Sequence, residues 1–353
     1  MSISPPALVL VTGASGFLGT HIVTQLLDGG YRVRGAARGA KLDLLREYFK
    51  ANPNFEAVKI DDIATGDFSA ALKGVNAVIH AASPLIGKAA PAEQIQSAVE
   101  GTLNVLRQAV AAGIYKAVVT SSWATLLDPD HKDAFAGITL TENNYGKATR
   151  EDIINGNHNP FYTYMGSKIL AEEAAWKFAE EHPEFDLATI HPPFLYGKFL
   201  LPPGDGPSSL GSNAILYQLI AGKGGRPLPP QDSPAEYCHV ADAARAHILA
   251  LRLPKVPAGG DIRNKRFIVA APEPAIYTEV VKYVAEKFPE LRDRLPTLEN
   301  APPLPGPLSK SDTTRAREVL GIKQYIGLEE TLDETFKSLL EVDKAWKFES
   351  PNS

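Results

Sequence analysis

The residues that most constrain this chain are Thr12-Gly13-Ala14-Ser15-Gly16-Phe17-Leu18-Gly19. Four apolar residues, Leu8-Val9-Leu10-Val11, precede them, and an amphipathic run from Thr20 to Leu27 follows, closed by Gly29-Gly30. An apolar run bounded by glycine reads as a buried strand, and the 3.6-residue period after it as a helix. A strand that turns through G-x-x-G-x-x-G into a helix N-terminus brings free amide N–H groups and a positive dipole close to bound anions. Glycine triplets alone are weak signals; this one gains specificity from standing between a buried strand and a helix. It predicts dinucleotide binding through Gly13, Ser15, Gly16, Phe17, Leu18 and Gly19.

The same rhythm continues. Strands are expected at Arg32–Ala37, Glu56–Ile60, Val75–His80, Ala117–Thr120 and Leu187–Ile190, separated by helical patterns over Leu42–Phe49, Phe68–Leu72, Ile95–Val110 and Tyr164–Glu181. Strand–helix alternation of this length predicts an α/β, Rossmann-type doubly wound parallel sheet. After Pro192 the rhythm breaks. Nine of the 28 prolines fall between Pro192 and Pro234, yet the tract holds Phe194, Leu195, Tyr196, Phe199, Leu200 and Leu201. That apolar content favours a substrate-covering loop over a plain structural connection. Helices over His239–Leu251, Tyr277–Phe288 and Leu328–Leu340, with a strand at Arg266–Ala270, complete the reading. The expected division is a nucleotide-binding domain, 1–194 with 236–272, and a smaller, mostly helical substrate lobe, 195–235 with 273–345.

An acid at the end of the second strand would hold an adenosine ribose hydroxyl. Here the residues are Arg34-Gly35-Ala36-Ala37-Arg38-Gly39-Ala40-Lys41. The missing carboxylate, with Arg38 and Lys41 as a cationic pair for a 2′-phosphate, favours NADPH over NADH. Asp62 and Ile63, after the third strand, are candidates for the adenine side, with a helix N-cap as the competing reading of Asp62.

Tyr164 and Lys168 stand at i, i+4, on one face of the long helical segment. A phenol titrates near ~10, and a close ammonium favours the phenolate; a drop of ~3 units would need ~4 kcal/mol. Thr120-Ser121-Ser122 ends the fifth strand, at the carboxyl edge where open α/β sheets bind ligands, so a serine hydroxyl there can hold a carbonyl oxygen while Tyr164 gives its proton. The competing reading of the serines is a turn cap. Asn104, on the Ile95–Val110 helix, is a candidate to hold a water near Lys168, with helix packing as the default.

With these blocks in order, the chain resembles the extended short-chain dehydrogenases/reductases, in the branch of dihydroflavonol reductases and yeast-type aldehyde/ketone reductases. The resemblance rests on Val11 to Gly19, Val33-Arg34 with Arg38, His80-Ala81-Ala82-Ser83-Pro84, Val99 to Leu106, Thr120 to Ser122, Tyr164 to Lys168, Pro192 to Gly197 and His239 to His247. It implies NADPH-dependent carbonyl reduction, with Ser122 rather than Ser121 as the catalytic hydroxyl. It further implies that Ala82 and Ser83 border the cofactor, that Pro192, Phe194 and Leu195 line its nicotinamide end, and that Trp123 walls the substrate pocket. Pro84, Phe194 and Tyr196 are the remaining substrate candidates. The sequence departs from the plant members at Ala124-Thr125-Leu126-Leu127, where they carry asparagine, and in the insertion from Asp128 to Tyr162.

Composition narrows the alternatives. A net charge of −5 without a basic block argues against nucleic acid and anionic membranes. No apolar run nears the ~18 residues of a membrane span. The lone Cys238, the uncharged segment Met1 to Pro6 and the ending Pro351-Asn352-Ser353 lead us to expect a reducing, cytoplasmic setting without leader or anchor. The eight histidines form no H-E-x-x-H, and no G-x-S-x-G occurs, so neither metal nor a hydrolase elbow is expected. His239 and His247 read as packing or surface residues. The expected partner is a small carbonyl substrate, and the expected assembly a monomer or homodimer. Two further readings stay open: an NAD-retaining sugar-nucleotide epimerase or dehydratase, and a regulator that binds NADPH without turnover.

Overall fold

The computed structural model describes residues 2–84, 87 and 89–349; the C-terminal Pro351-Asn352-Ser353 lies outside the described residues. The first buried run forms β1 (Leu8–Thr12), and the glycine turn leads into α1 (Phe17–Asp28). Then follow β2 (Arg32–Ala37), α2 (Ala40–Tyr48), β3 (Phe55–Lys59), the short α3 (Ser69–Leu72), β4 (Ala77–His80) and α4 (Pro91–Ala111). α4 opens with proline in its first turn, where the missing N–H is not needed. β5 (Lys116–Thr120) ends at the serine pair. Beyond the insertion, with β6 (Thr139–Leu140) and α5 (Arg150–Asn155), comes α6 (Pro160–Glu181), whose N-cap Asn159 accepts from the Tyr162 amide, and then β7 (Asp186–His191).

The C-terminal elements are β8 (Phe194–Tyr196), α7 (Asn213–Tyr217), β9 (Tyr237–His239), α8 (Val240–Arg252), β10 (Arg266–Ile268), α9 (Tyr277–Lys287), β11 (Lys310–Ser311) and α10 (Leu328–Glu349). Seven parallel strands form one sheet in the order β10-β7-β5-β4-β1-β2-β3. The order reverses between β1 and β4, which places a crevice at their carboxyl ends. One face is packed by α1 and α8 against Val9, Val11 and Ile79; the other by α4 and α6 against Leu10, Val78 and Val119. Strands so covered are apolar throughout, which is why they read as unbroken runs.

The proline-rich tract is mostly core rather than cover. Leu210, Leu216, Leu219, Ile220 and Leu228 are buried with Tyr237, Val280, Phe336 and Leu339 in a second cluster that joins α7, α9 and α10. The sequence favoured a covering loop; lobe packing claims most of the segment, because those side chains need the burial that α9 and α10 provide. The expected return of 236–272 to the nucleotide domain is split: β10 completes the main sheet beside β7, whereas β9 pairs with β8 in a separate two-stranded sheet. The insertion reaches far along the chain, since β6 pairs with β11.

Candidate active site

The three loop glycines have three different reasons to be glycine. Gly13 has φ +67°, and a Cβ there would lie 2.7 Å from the Ala82 amide nitrogen, so β1 and the end of β4 meet without side chains between them. A Cβ on Gly19 would fall 2.0 Å from the Gly13 carbonyl oxygen, which fixes α1 tightly against the turn. A Cβ on Gly16 would meet only the Gly13 oxygen, at 3.1 Å; the rest of its surroundings is open. Gly16 caps α1 without a side-chain hydrogen bond, and no acid occupies the first turn. The open space and uncapped amides fit a pyrophosphate. The side chains of the loop pack elsewhere: Leu18 is buried, and the Phe17 ring lies 4.9 Å from that of Phe199.

Arg38 and Lys41 are exposed at the end of β2, and the positive field of Arg38 reaches Asp62. Asp62 Oδ1 accepts the amides of Thr65 at 3.0 Å and Ala64 at 2.7 Å, and those bonds, helped by Arg38, hold its carboxyl below the usual range. Arg34, by contrast, is tied to Glu56 and to the carbonyls of Ala71 and Lys73, so it belongs to the sheet edge. Ile63 lies over Gly101, whose added Cβ would come 2.8 Å from its side chain. Asn104 is not near Lys168 in hydrogen-bonding terms. Its amide donates to the carbonyls of Ile63 and Gly66, both at 3.0 Å, and accepts from Gln108, so it clamps the turn after β3.

A narrow cleft joins this region to the ends of β4 and β5, where Ala82, Ser83, Pro84, Ser121, Lys168 and Glu172 line it. Ser122 caps the turn after β5, its Oγ accepting the Ala124 amide at 3.1 Å, which leaves its own proton to give. The turn-cap reading of this serine is met, and the cap does not use its hydroxyl hydrogen. The Tyr164 phenol lies within the influence of the Ser122 hydroxyl, and Lys168 Nζ donates to the Thr120 carbonyl at 2.9 Å. The expected depression of the phenol by the ammonium is not what the geometry gives. Burial holds Tyr164 up, only partly opposed by Ser122, while Lys168 is directed to the strand end; burial brings Lys168 down to about 8.

Two of the substrate candidates are buried, Trp123 in a cluster against which Phe161 and Tyr164 pack. Trp123 is 4% exposed and its Nε1 donates to Ser311 Oγ at 2.8 Å. Tyr196 is 3% exposed, stacked on Tyr237 in the lobe core. Phe194 instead faces Phe161, ring centres 6.2 Å apart, and Phe161 in turn faces Tyr164 at 6.4 Å. Pro192 accepts the Trp123 amide at 3.0 Å, and the Leu195 amide donates to Ser212. Sequence reasoning passed over Phe161, Glu172, His191 and Arg266. Glu172 was within reach, since it continues the i, i+4 series Tyr164, Lys168; Arg266 and His191 carried no local signal. His239 caps α8, and His247 bonds Thr120 Oγ1 at 2.7 Å; among the described residues no group of three or more ligating side chains could hold a metal.

A glycine-cradled helix end at the sheet's reversal point, beside a serine, a tyrosine and a lysine, defines a dinucleotide-dependent oxidoreductase of Rossmann type. The chain belongs to the NAD dependent epimerase/dehydratase family, the extended short-chain dehydrogenases/reductases, whose model matches residues 9–264. A ketoreductase of Aspergillus niger is 32% identical over 89% of this chain and 92% of its own length. A putative NADPH-dependent methylglyoxal reductase of Candida albicans is 32% identical over 96% and 99%. The yeast methylglyoxal/isovaleraldehyde reductase solved with NADPH superposes with a TM-score of 0.76 at 26% identity, covering 96% of this chain and 99% of that one.

Proposed function

We propose that this chain reduces an aldehyde or ketone bearing an apolar or aromatic group, with Tyr164 as proton donor, Ser122 holding the carbonyl oxygen and Lys168 holding the cofactor ribose. It is an NADPH-dependent carbonyl reductase. NADPH, when bound, supplies the hydride that forms the new C–H bond. The observation that carries the reading is the Ser122–Tyr164 hydroxyl pair at the carboxyl end of β5. Burial keeps the phenol protonated at neutral pH, as a donor to a developing alkoxide must be. As the carbonyl π bond opens, the Tyr164 proton passes to its oxygen, and the resulting phenolate, which the Ser122 hydroxyl favours, regains a proton from solvent. The facing rings of Phe161 and Phe194 beside Tyr164 support an apolar substrate side. The relatives named for ketones and methylglyoxal support the carbonyl class.

No helix among the described residues is long and apolar enough to cross a membrane. The buried lone Cys238 fits a reducing setting such as the cytoplasm, and gel filtration separates the monomer from the homodimer. The deciding experiment is NADPH consumption over aliphatic, aromatic and β-keto carbonyls, for the native enzyme and for Tyr164→Phe. The native enzyme should turn over at least one class, and Tyr164→Phe should lose about 100-fold or more in kcat. A variant that keeps most of its kcat sinks the mechanism. Tightly bound NAD with no net NADPH consumption would instead indicate an epimerase or dehydratase, and NADPH affinity without turnover a regulator.

A further inference from the structure

Behind the proton-transfer residues lies a buried charge whose bonds lead directly to them. Glu172 is one turn beyond Lys168 on α6, and both are under 10% exposed. Its Oε1 accepts from Arg266 Nε at 2.7 Å and from Trp176 Nε1 at 3.2 Å, and His191 Nε2 lies 3.5 Å away. Its Oε2 accepts from Ser121 Oγ at 2.6 Å. Arg266 is itself fully buried, with Nη1 bonded to the carbonyls of Glu142 and Asn144 and its guanidinium 3.9 Å over the Tyr145 ring. Burial pushes the Glu172 carboxyl up, but its buried surroundings outweigh that and hold it below its usual range: a charged His191 would do so, and at working pH, where His191 is neutral, the Arg266 guanidinium and the bonds from Ser121 and Thr125 remain. Glu172 is therefore an anion across the working range of the enzyme. Balancing Arg266 needs one of its oxygens. The other reaches the residue next to Ser122.

We propose that Glu172 is a positioning residue for carbonyl reduction, fixing the Ser121–Ser122 strand end through Ser121 and setting a negative charge one helical turn from the buried Lys168 ammonium. The inference rests on the roles given above to Ser122, Tyr164 and Lys168. The groups around the Lys168 ammonium come from every side. β4 brings His80 and β5 the Thr120 carbonyl, whose side chain meets His247 of α8; α6 brings Tyr164 and Glu172, and β7 brings His191. Burial holds His80 down to about 3 and His191 and His247 to about 4, so all three are neutral at working pH. Burial likewise lowers Lys168, and Glu172 acts against that fall. Arg266 stands behind Glu172 and offsets part of its charge, from farther away.

Glu172→Gln keeps the size of the side chain and removes the charge. The Lys168 proton is then lost at lower pH, so the alkaline limb of kcat/KM should move down by about 0.5 pH unit or more. The same displacement should appear in the pH dependence of NADPH affinity, read by fluorescence titration without substrate. Ser121→Ala keeps the charge and frees the strand end; it should lower kcat several-fold while leaving the alkaline limb and NADPH affinity in place. A folded Glu172→Gln enzyme with the native alkaline limb overturns the electrostatic role. Should that variant not fold, having stripped Arg266 of its partner, Ser121→Ala decides: native kcat overturns the proposal. These outcomes are separable from failure of the underlying mechanism, which shows as retained turnover in Tyr164→Phe.

Discussion

Two buried ion networks lie against β5 and β7, one toward each end, and only one of the two touches the candidate chemistry. At the amino end, Asp186 accepts from Lys116 at 2.6 Å and from Lys265 at 2.5 Å, and the two lysines also donate to the carbonyls of Leu253 and Pro254. At the carboxyl end, Glu172 holds Arg266 and hands its second oxygen to Ser121. Burial is alike, with the side chains of both networks at 6% exposure or less. The amino-end bonds run from ion to ion or from ion to backbone, and close on themselves. The carboxyl-end network sits where loops leave the sheet and a crevice opens. Buried charge is thus no marker of function by itself; its position along the strands decides.

Removing the amino-end anion is the hardest test of that contrast. Asp186→Asn leaves Lys116 and Lys265 buried without a counter-charge, a loss of about 3–5 kcal/mol by the usual cost of breaking a buried pair. Urea unfolding should show that loss, while kcat per folded molecule and the alkaline limb stay native. Thr120 is about 13 Å along β5 from Lys116 at ordinary strand rise. A Glu172→Gln-like movement of the pH profile in Asp186→Asn would break the comparison, because both ends would then feed the site.

Arg38 extends the contrast to the far side of the carboxyl edge, at the end of β2, where it is exposed and stability depends little on it. Arg38→Ala should leave unfolding midpoints unchanged. It should cut the kcat/KM preference for NADPH over NADH by roughly 10- to 100-fold, the worth of one charge-assisted contact to a phosphate. An unchanged cofactor ratio would assign the 2′-phosphate to another group.

The elements themselves were legible because their pattern is local. The strand at Arg32–Ala37 falls on β2 without displacement, and the buried strands and amphipathic helices of 1–194 lie within a few residues of their expected ends. The Tyr164–Lys168 pair was visible for the same reason, being two positions on one helix. What failed to show depends on distant partners. Trp123 reads as a pocket wall, and nothing near it in sequence announces that Ser311, 188 residues on, takes its indole N–H. Tyr196 lies next to the site in sequence, but the register of β8 and β9 turns its ring onto Tyr237. The Tyr164 phenol is not depressed as its spacing predicts, because i, i+4 spacing sets a shared face, not where the Lys168 ammonium ends, and Thr120 claims it. Arg266 is separated from Glu172 by 94 residues, and no periodicity connects them.

Asn104 provides the smallest effect and the finest discrimination. Its two amide hydrogens hold the carbonyls of Ile63 and Gly66, and Gln108 bridges it to the same turn while accepting the Phe68 amide. Asn104→Ala removes those two bonds and the one accepted from Gln108; Gln108 still holds the Gly66 carbonyl, and the Ile63 carbonyl loses its donor, for about 1–2 kcal/mol of stability. Because the turn carries Asp62 and Ile63, NADPH affinity should weaken by a few-fold, measured by fluorescence titration. The alkaline limb should not move, since no bond runs from Asn104 to the ammonium. A shift of that limb in Asn104→Ala would place Asn104 in the proton-transfer machinery after all, through a water the two residues share. A native limb beside a displaced one in Glu172→Gln would confine control of Lys168 to its own helix.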